Sequence, residues 1–556
     1  MKQFIRYITA GLGIASLFVL LPGCSNYIDL EPLDEFSDQG FWTNESKVET
    51  FSWGFYDEFF VGYGNGGSFG KFYFTSFTDD QVGQSFQDFA KNAPASDGNW
   101  SFAYIRKANL VLNRVGQVPM EQEAKNHWAG VARFFRALNY YQLVKKFGDV
   151  PWYSNVLDIS EDSAIYKPRD PRDKVMDSVL SDLDFAIANL RDKGAAKVNT
   201  VNKDVALALK SRICLYEGTY AKYNEQNNER ATRYLQESKE ASAAVMEAGY
   251  VLTPDYTTVY NSMDLAGNTE VLLYKQYEPS VLTQPIIGYT NSSTIMRGLS
   301  KDAVESYVCQ DGLPIALSPD YQGDGTIEDV RADRDKRLQE TISDFYCYLG
   351  ARVTGLSSTT GYRPAKFLQP AATQLAPYNE TDAPLFWLAE VLENYAEAAA
   401  ELDELGGYTL TQNDLDISIN KLRARADVQP LEVSGHQGTA IGGHAFVDPE
   451  KDPDVTSLIW EIRRDRRVEL MMDGFRFDDL IRWHKLDYMD TEKNPDIILG
   501  AKVAANDEIT RNAQGYIVVY PDKPTRTVQD RDYLSPIPTG EIALYPDGVL
   551  KQNPGW

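Results

Sequence analysis

From Ser101 onward, apolar residues recur every three or four positions, the spacing that places them on one face of a helix. Met176, Val179, Leu180, Leu183, Ile187 and Leu190 form such a stripe. Asp170 stands before it as an N-cap, with Pro171 at the first helical position and Asp173 completing a capping-box-like pair. Asn202 caps a helix over 203–223, and a helix over 229–248 stops at Gly249. A helix over 383–404 buries Leu385, Leu388, Leu392, Tyr395 and Ala399 and ends before Gly406. The helix over 122–147 runs into Gly148-Asp149-Val150-Pro151, where Gly offers a left-handed cap and Pro forbids continuation.

Further helices over about 46–60, 101–115 and 414–426 bring the count to eight, or about four consecutive pairs. The pattern predicts a mostly α, tetratricopeptide-like helical repeat scaffold with minor β structure, although the literal repeat consensus is absent. Two segments break the pattern: residues 61–100 and 250–382 are rich in Gly, Ser, Thr, Tyr and Asn, with short strand-like pieces such as Val271 to Tyr274. Loops of that length are usually functional.

The N-terminus adds an address. Lys2 and Arg6 precede an apolar stretch from Ile8 to Leu21 that is too short for a comfortable membrane span, as in a secretory signal. It closes on Leu21-Pro22-Gly23-Cys24, which resembles a bacterial lipobox. Residues 1–23 are therefore expected to be removed and Cys24 lipidated, with acyl chains holding the remainder on a membrane. No later apolar run has membrane length.

Charge and residue counts exclude several classes. Lys plus Arg number 55 against 80 Asp plus Glu, a net charge of −25, which disfavours nucleic acid and acidic polysaccharide. Cys214, Cys309 and Cys347 imply no disulfide framework, and His127, His436, His444 and His484 form no zinc motif. Asp320-Tyr321-Gln322-Gly323-Asp324-Gly325 imitates a calcium loop, but Arg331 stands where the bidentate Glu is required. Arg463, Arg464, Arg466 and Arg467 alternate with Glu461, Asp465 and Glu469, as intrahelical pairs and buried Arg–carboxylate clamps do. There is no nucleophile elbow and no phosphate-cradling loop, so neither an enzyme nor a cofactor or metal is expected.

Ordered motifs then carry a resemblance. They begin with Tyr27-Ile28-Asp29-Leu30-Glu31-Pro32 and Phe41-Trp42. Ala132-Arg133-Phe134-Phe135-Arg136-Ala137-Leu138-Asn139-Tyr140-Tyr141 follows, continuing to Phe147-Gly148-Asp149-Val150-Pro151. Later come Ala389-Glu390, Tyr395-Ala396-Glu397-Ala398, Asn420 to Ala426, Arg466 to Leu470 and Gly474 to Leu480. Tyr533 to Pro538 and Gln552-Asn553-Pro554-Gly555-Trp556 close the chain. Together these resemble the SusD/RagB family of outer-membrane nutrient-binding lipoproteins. Trp387, and Met471-Met472-Asp473, depart from its usual residues.

The resemblance implies a lipid-anchored, surface-facing protein that captures oligosaccharide or polysaccharide without cleaving it. It also implies delivery to a SusC-like TonB-dependent transporter. A peptide-binding, RagB-like role and a surface glycoside hydrolase are the alternatives. The implied regions are 24–250, a SusD-like helical part; 251–382, a loop-rich insertion forming part of the ligand face; and 383–556, a SusD/RagB-like part.

Glycan capture asks for flat rings to stack on sugar faces, with polar groups for the hydroxyls. Loop position and residue type select Tyr63, Phe72, Tyr73, Asp79, Asp80 and Trp100 in the first long segment. In the second they select Tyr277, Tyr289, Asn291, Tyr362 and Arg363.

Overall fold

A computed structural model describes residues 38–70, 77–158, 160, 162–289, 295–353, 355–370, 378–522 and 525–556. Cys24, Phe72, Tyr73 and Asn291 lie outside the described residues, as does the side chain of Tyr289. No helix among those described is long and apolar enough to cross a membrane.

The molecule is mostly helical. Seven long helices lead it: α1 (Glu45–Phe59), α2 (Ala103–Arg114), α3 (Gln122–Phe147), α4 (Arg172–Asn189), α5 (Lys203–Tyr223), α6 (Asn228–Glu247) and α7 (Leu388–Glu404). From α2 to α7 each helix packs on the next in sequence, while α1 lies on α3. Neighbour-on-neighbour packing is how a helical repeat array hides apolar faces that no single pair could bury.

Local chemistry explains most boundaries. Asn202 Oδ1 accepts the amides of Asp204 and Val205 and so starts α5. Gly148, at φ +73°, ends α3 in a conformation only glycine adopts cheaply. A Cβ there would also stand 2.9 Å from Leu534 Cδ1, because the C-terminal segment lies against this turn. Ser535 N–H donates to Lys146 O at 2.7 Å and Asn553 Nδ2 to Phe147 O at 3.0 Å, so the last motifs of the chain clasp the end of α3.

Three boundaries differ from the sequence expectation. Asp170 does not cap α4. Its carboxylate accepts from Trp152 N–H and from Lys174, and Asp149 Oδ1 instead accepts the Arg172 amide at 2.8 Å. Ala383–Trp387 is not the first turn of a helix but a fully buried strand, antiparallel to Val271–Lys275. Pro384 biases its predecessor toward extended backbone, and a continuous apolar run suits a strand covered on both faces. The helix expected over 414–426 is two pieces, α8 (Gln412–Asp416) and α9 (Ile419–Arg425). The principal C-terminal partner of α7 is α10 (Ser457–Glu469), followed by α11 (Arg476–Arg482).

Around α7 the core is ionic. Glu397 receives both terminal nitrogens of Arg482 at 2.6 Å and Trp483 Nε1 at 2.6 Å, while Glu401 receives Arg463 at 3.1 Å. Burial pushes the Glu397 carboxyl up, yet Arg482, Arg466 and Arg463 outweigh it and hold it at about 2. Arg466 reaches Asp479 at 2.9 Å and Asn394 at 2.8 Å. The clamp expectation for α10 therefore holds, but the partners come mainly from other elements rather than from α10 itself.

Candidate functional site

The two long loop segments meet in space. Gln81–Val82 pairs antiparallel with Gly298–Leu299. Ser300 donates its amide to Asp80 O and its hydroxyl to Asp79 O, and Thr359 Oγ1 donates to Val82 O at 2.6 Å. Tyr520, from near the C-terminus, donates to Gly83 O at 2.5 Å. Contact this close needs residues without side chains. A Cβ on Gly298 would fall 1.9 Å from Thr360 Oγ1, and one on Gly500 would fall 2.2 Å from Thr360 O.

Ion pairs tie this junction to the helical body. Arg467 reaches Asp80 at 2.8 Å and Asp302 at 2.6 Å, and Arg476 forks onto Asp79 at 2.6 and 2.9 Å. Burial alone would raise the Asp79 carboxyl, but Arg476 and Arg467 hold it far below the usual carboxylate range. Asp79 and Asp80 were expected to meet ligand. They are 1% and 4% exposed and brace the loop to α10 and the first residue of α11.

Most of the expected rings are also interior. Tyr63, Trp100, Tyr277 and Tyr362 are all buried. Tyr63 donates to Tyr260 O at 2.7 Å and lies edge-on to Phe367, and Tyr277 donates to Gly64 O at 2.9 Å. Trp100 meets Phe147 edge-to-face at 5.0 Å between centroids. Tyr362 packs against Tyr346, and buried Arg363 donates to Ser343 Oγ at 2.8 Å. Among the described residues, the rings selected from the sequence therefore form no exposed ledge: Tyr63, Tyr277 and Tyr362 belong to a second apolar core and Trp100 to the main one.

Other rings are available on this face. Phe86 and Tyr520 are each half-buried and meet edge-to-face at 5.3 Å, with the Arg526 guanidinium 6.0 Å from the Phe86 ring. Gln84, Gln87 and Arg297 are exposed nearby in sequence or space: Arg297 Nε is 3.9 Å from where a Gly83 Cβ would stand. Phe86 lies in a polar run, Gln84-Ser85-Phe86-Gln87, the one sequence signal of a ring turned outward. Nothing local marks Tyr520.

A cavity of about 930 Å³ adjoins the brace, with Asp79, Arg467 and Arg476 in its wall and Trp460, Tyr321 and Tyr488 among its rings. Its cations are engaged. Lys301 pairs with Glu305 and Asp496, Lys485 with Asp452 and Asp454, and Arg464 with Asp448. Lys451 donates to two main-chain carbonyls. The calcium-like turn forms part of this wall, where Asp324 accepts from Lys502 at 3.1 Å and from the Tyr516 hydroxyl. Among the described residues no group of three or more His, Cys, Asp or Glu could hold a metal ion, and Cys214, Cys309 and Cys347 are buried free thiols.

Comparison with known proteins places this geometry in context. The SusD family model matches residues 269–556, and a second model, described as starch-binding associating with outer membrane, matches residues 57–215. SusD-like protein P2 of Formosa agariphila is 24% identical over 316 residues, 51% of this chain and 58% of that protein. SusD-like protein P38 of the same organism is 27% identical over 237 residues, 40% and 45% of the two chains. The chain thus spans about half the length of the curated relatives it matches. A SusD-like carbohydrate-binding protein from Bacteroides fragilis superposes with a TM-score of 0.69 at 20% identity, covering 91% of this chain and 99% of that one. A laminarin-binding SusD-like protein gives 0.55 at 19% identity over 92% and 100%. These likenesses establish a shared fold.

Proposed function

Because this chain belongs to the SusD family, we propose that it captures glycan on its loop face, without cleaving it, and delivers it to a SusC-like TonB-dependent transporter. The observation that carries the reading is the Phe86–Tyr520 pair, which offers half-exposed rings beside the exposed side chains of Arg297, Gln84 and Gln87. Rings fixed by packing lose little entropy when a sugar stacks on them, and amides and a guanidinium supply bonds to hydroxyls.

The second family model's description supports both the ligand class and an association with the outer membrane. Lipidation of Cys24 would provide the attachment, with the ligand face turned outward. Residues 251–382 would supply part of that face through Gly298, Leu299 and Thr359.

The test is retention of neutral polysaccharides by the purified chain, with chain length followed in the same samples. Phe86→Ala and Tyr520→Ala should each weaken retention about tenfold, since a ring contact is worth roughly 0.5–1.5 kcal/mol beyond its area. Shortened product, or retention of peptides in place of glycans, would overturn the reading. Cys24→Ala should release the otherwise folded protein from membranes.

A further inference from the structure

We propose that a groove lined from the end of the 320–326 turn, separate from the large cavity, is a second contact site for the same glycan, taking an uncharged stretch of the polymer. The proposal rests on the glycan reading above. The groove measures about 440 Å³ and is open, with Tyr346, Tyr348, Arg352, Glu328 and Lys502 among its walls and Ala351 and Val353 in its lining.

Its chemistry is that of a sugar contact. Tyr346 and Tyr348 are both half-buried, so each is fixed by packing while part of it stays accessible. Tyr346 is supported edge-on by Tyr362, with ring centroids 5.8 Å apart. The Tyr346 hydroxyl is shielded from water and has no hydrogen-bond partner among the described residues. What the groove offers a sugar is the accessible ring surface of the two tyrosines, since that hydroxyl itself is covered.

The charges point to a neutral occupant. Lys502 is held by Asp324, and the remaining charged pair, exposed Glu328 and Arg352, is of opposite sign. A polyanion would find no net attraction there.

Backbone links the groove to the loop face. Thr359 donates to Val82 O beneath the loop face, while Gly361, two residues on, accepts Cys347 N–H at 3.1 Å. A Cβ on Gly361 would lie 3.8 Å from Tyr348 Cδ1. The two sites thus stand on one short, hydrogen-bonded segment and keep a fixed spacing. A glycan long enough to touch both would gain by effective concentration rather than by a stronger single contact.

The experiment compares polymers with fragments. A panel of neutral polysaccharides, starch and laminarin among them, is assayed with the corresponding trisaccharides on the full chain. Tyr348→Ala should weaken retention of the favoured polymer at least about tenfold while leaving its trisaccharide unchanged, whereas Phe86→Ala should weaken both. Arg352→Ala, at an exposed position, should reproduce the polymer-selective loss in smaller measure and does not depend on refolding of the groove. Unchanged polymer retention in both groove variants would overturn the second site and leave the glycan reading standing. Failure of the unaltered chain to retain any polymer would overturn both.

Discussion

The helical stack and the loop face are held together by different means. In the stack, an apolar stripe on one helix meets the next helix in sequence, as Val179 and Leu183 of α4 do in the core they share with α3 and α5. At the loop face, contacts join residues hundreds of positions apart through carbonyls, ion pairs and glycine close approaches. Arg476 and Asp79 are 397 residues apart. The stack spreads its contacts over many apolar side chains, whereas the face depends on a few specific ones.

The sharpest way to break that contrast is to remove the ion that joins the two regions' common support. Arg482→Ala removes the charge shared by buried Glu397 and Asp479, leaving them only Trp483 and Arg466, and should cost about 3–5 kcal/mol, read as a lower denaturation midpoint. Trp100→Ala comes next, at roughly 3 kcal/mol, because it empties space beside Phe147. Glycan retention by that variant should hold at temperatures where it remains folded. Loss of binding without loss of stability would return Trp100 to the ligand site.

Gly298→Ala sharpens the comparison from the other side. The added methyl must displace Thr360, at a cost of about 1–3 kcal/mol, and glycan retention should fall further than stability because the loop face is what moves. A variant that binds normally would show that the face tolerates rearrangement.

A pH dependence separates the ionic core from the loop face. Glu461 is buried with no hydrogen bond to either oxygen, and burial pushes its carboxyl up to about 8 against the pull of Arg423. Arg464 Nε lies 3.1 Å away but off the hydrogen-bond direction. A folded value above the unfolded one means stability is fully present below about pH 4.5 and is lost as pH rises through 8. Glu461→Gln should therefore come close to the parent at pH 5 and exceed it at pH 8 to 9, the gap opening as pH rises between the unfolded and folded values. Parallel melting curves across that range would remove the assignment.

This division also explains what the sequence made legible. The limits of α5 were readable because Asn202 and the apolar period act within a few residues. Gly148 and Gly249 marked helix ends for the same reason. The failures at Asp170 and Asp149 involve two carboxylates equally suited to capping, separated only by which one the 148–151 turn brings to Arg172. Tyr63, Tyr277 and Tyr362 looked like loop residues because their covers, Tyr260, Gly64 and Tyr346, come from distant or separately folded segments. Phe86 carried a weak signal in its polar neighbours, and Tyr520 carried none, since its role depends on meeting Gly83.

The brace of Asp79 and Asp80 on Arg476 and Arg467 has a mechanical consequence. Tension on a polymer gripped at the loop face would pass through these four side chains into α10 and the wall of packed helices behind it. The load would be carried by a stiff frame, so a tug on a bound polymer would move the whole folded body before it could peel one loop away.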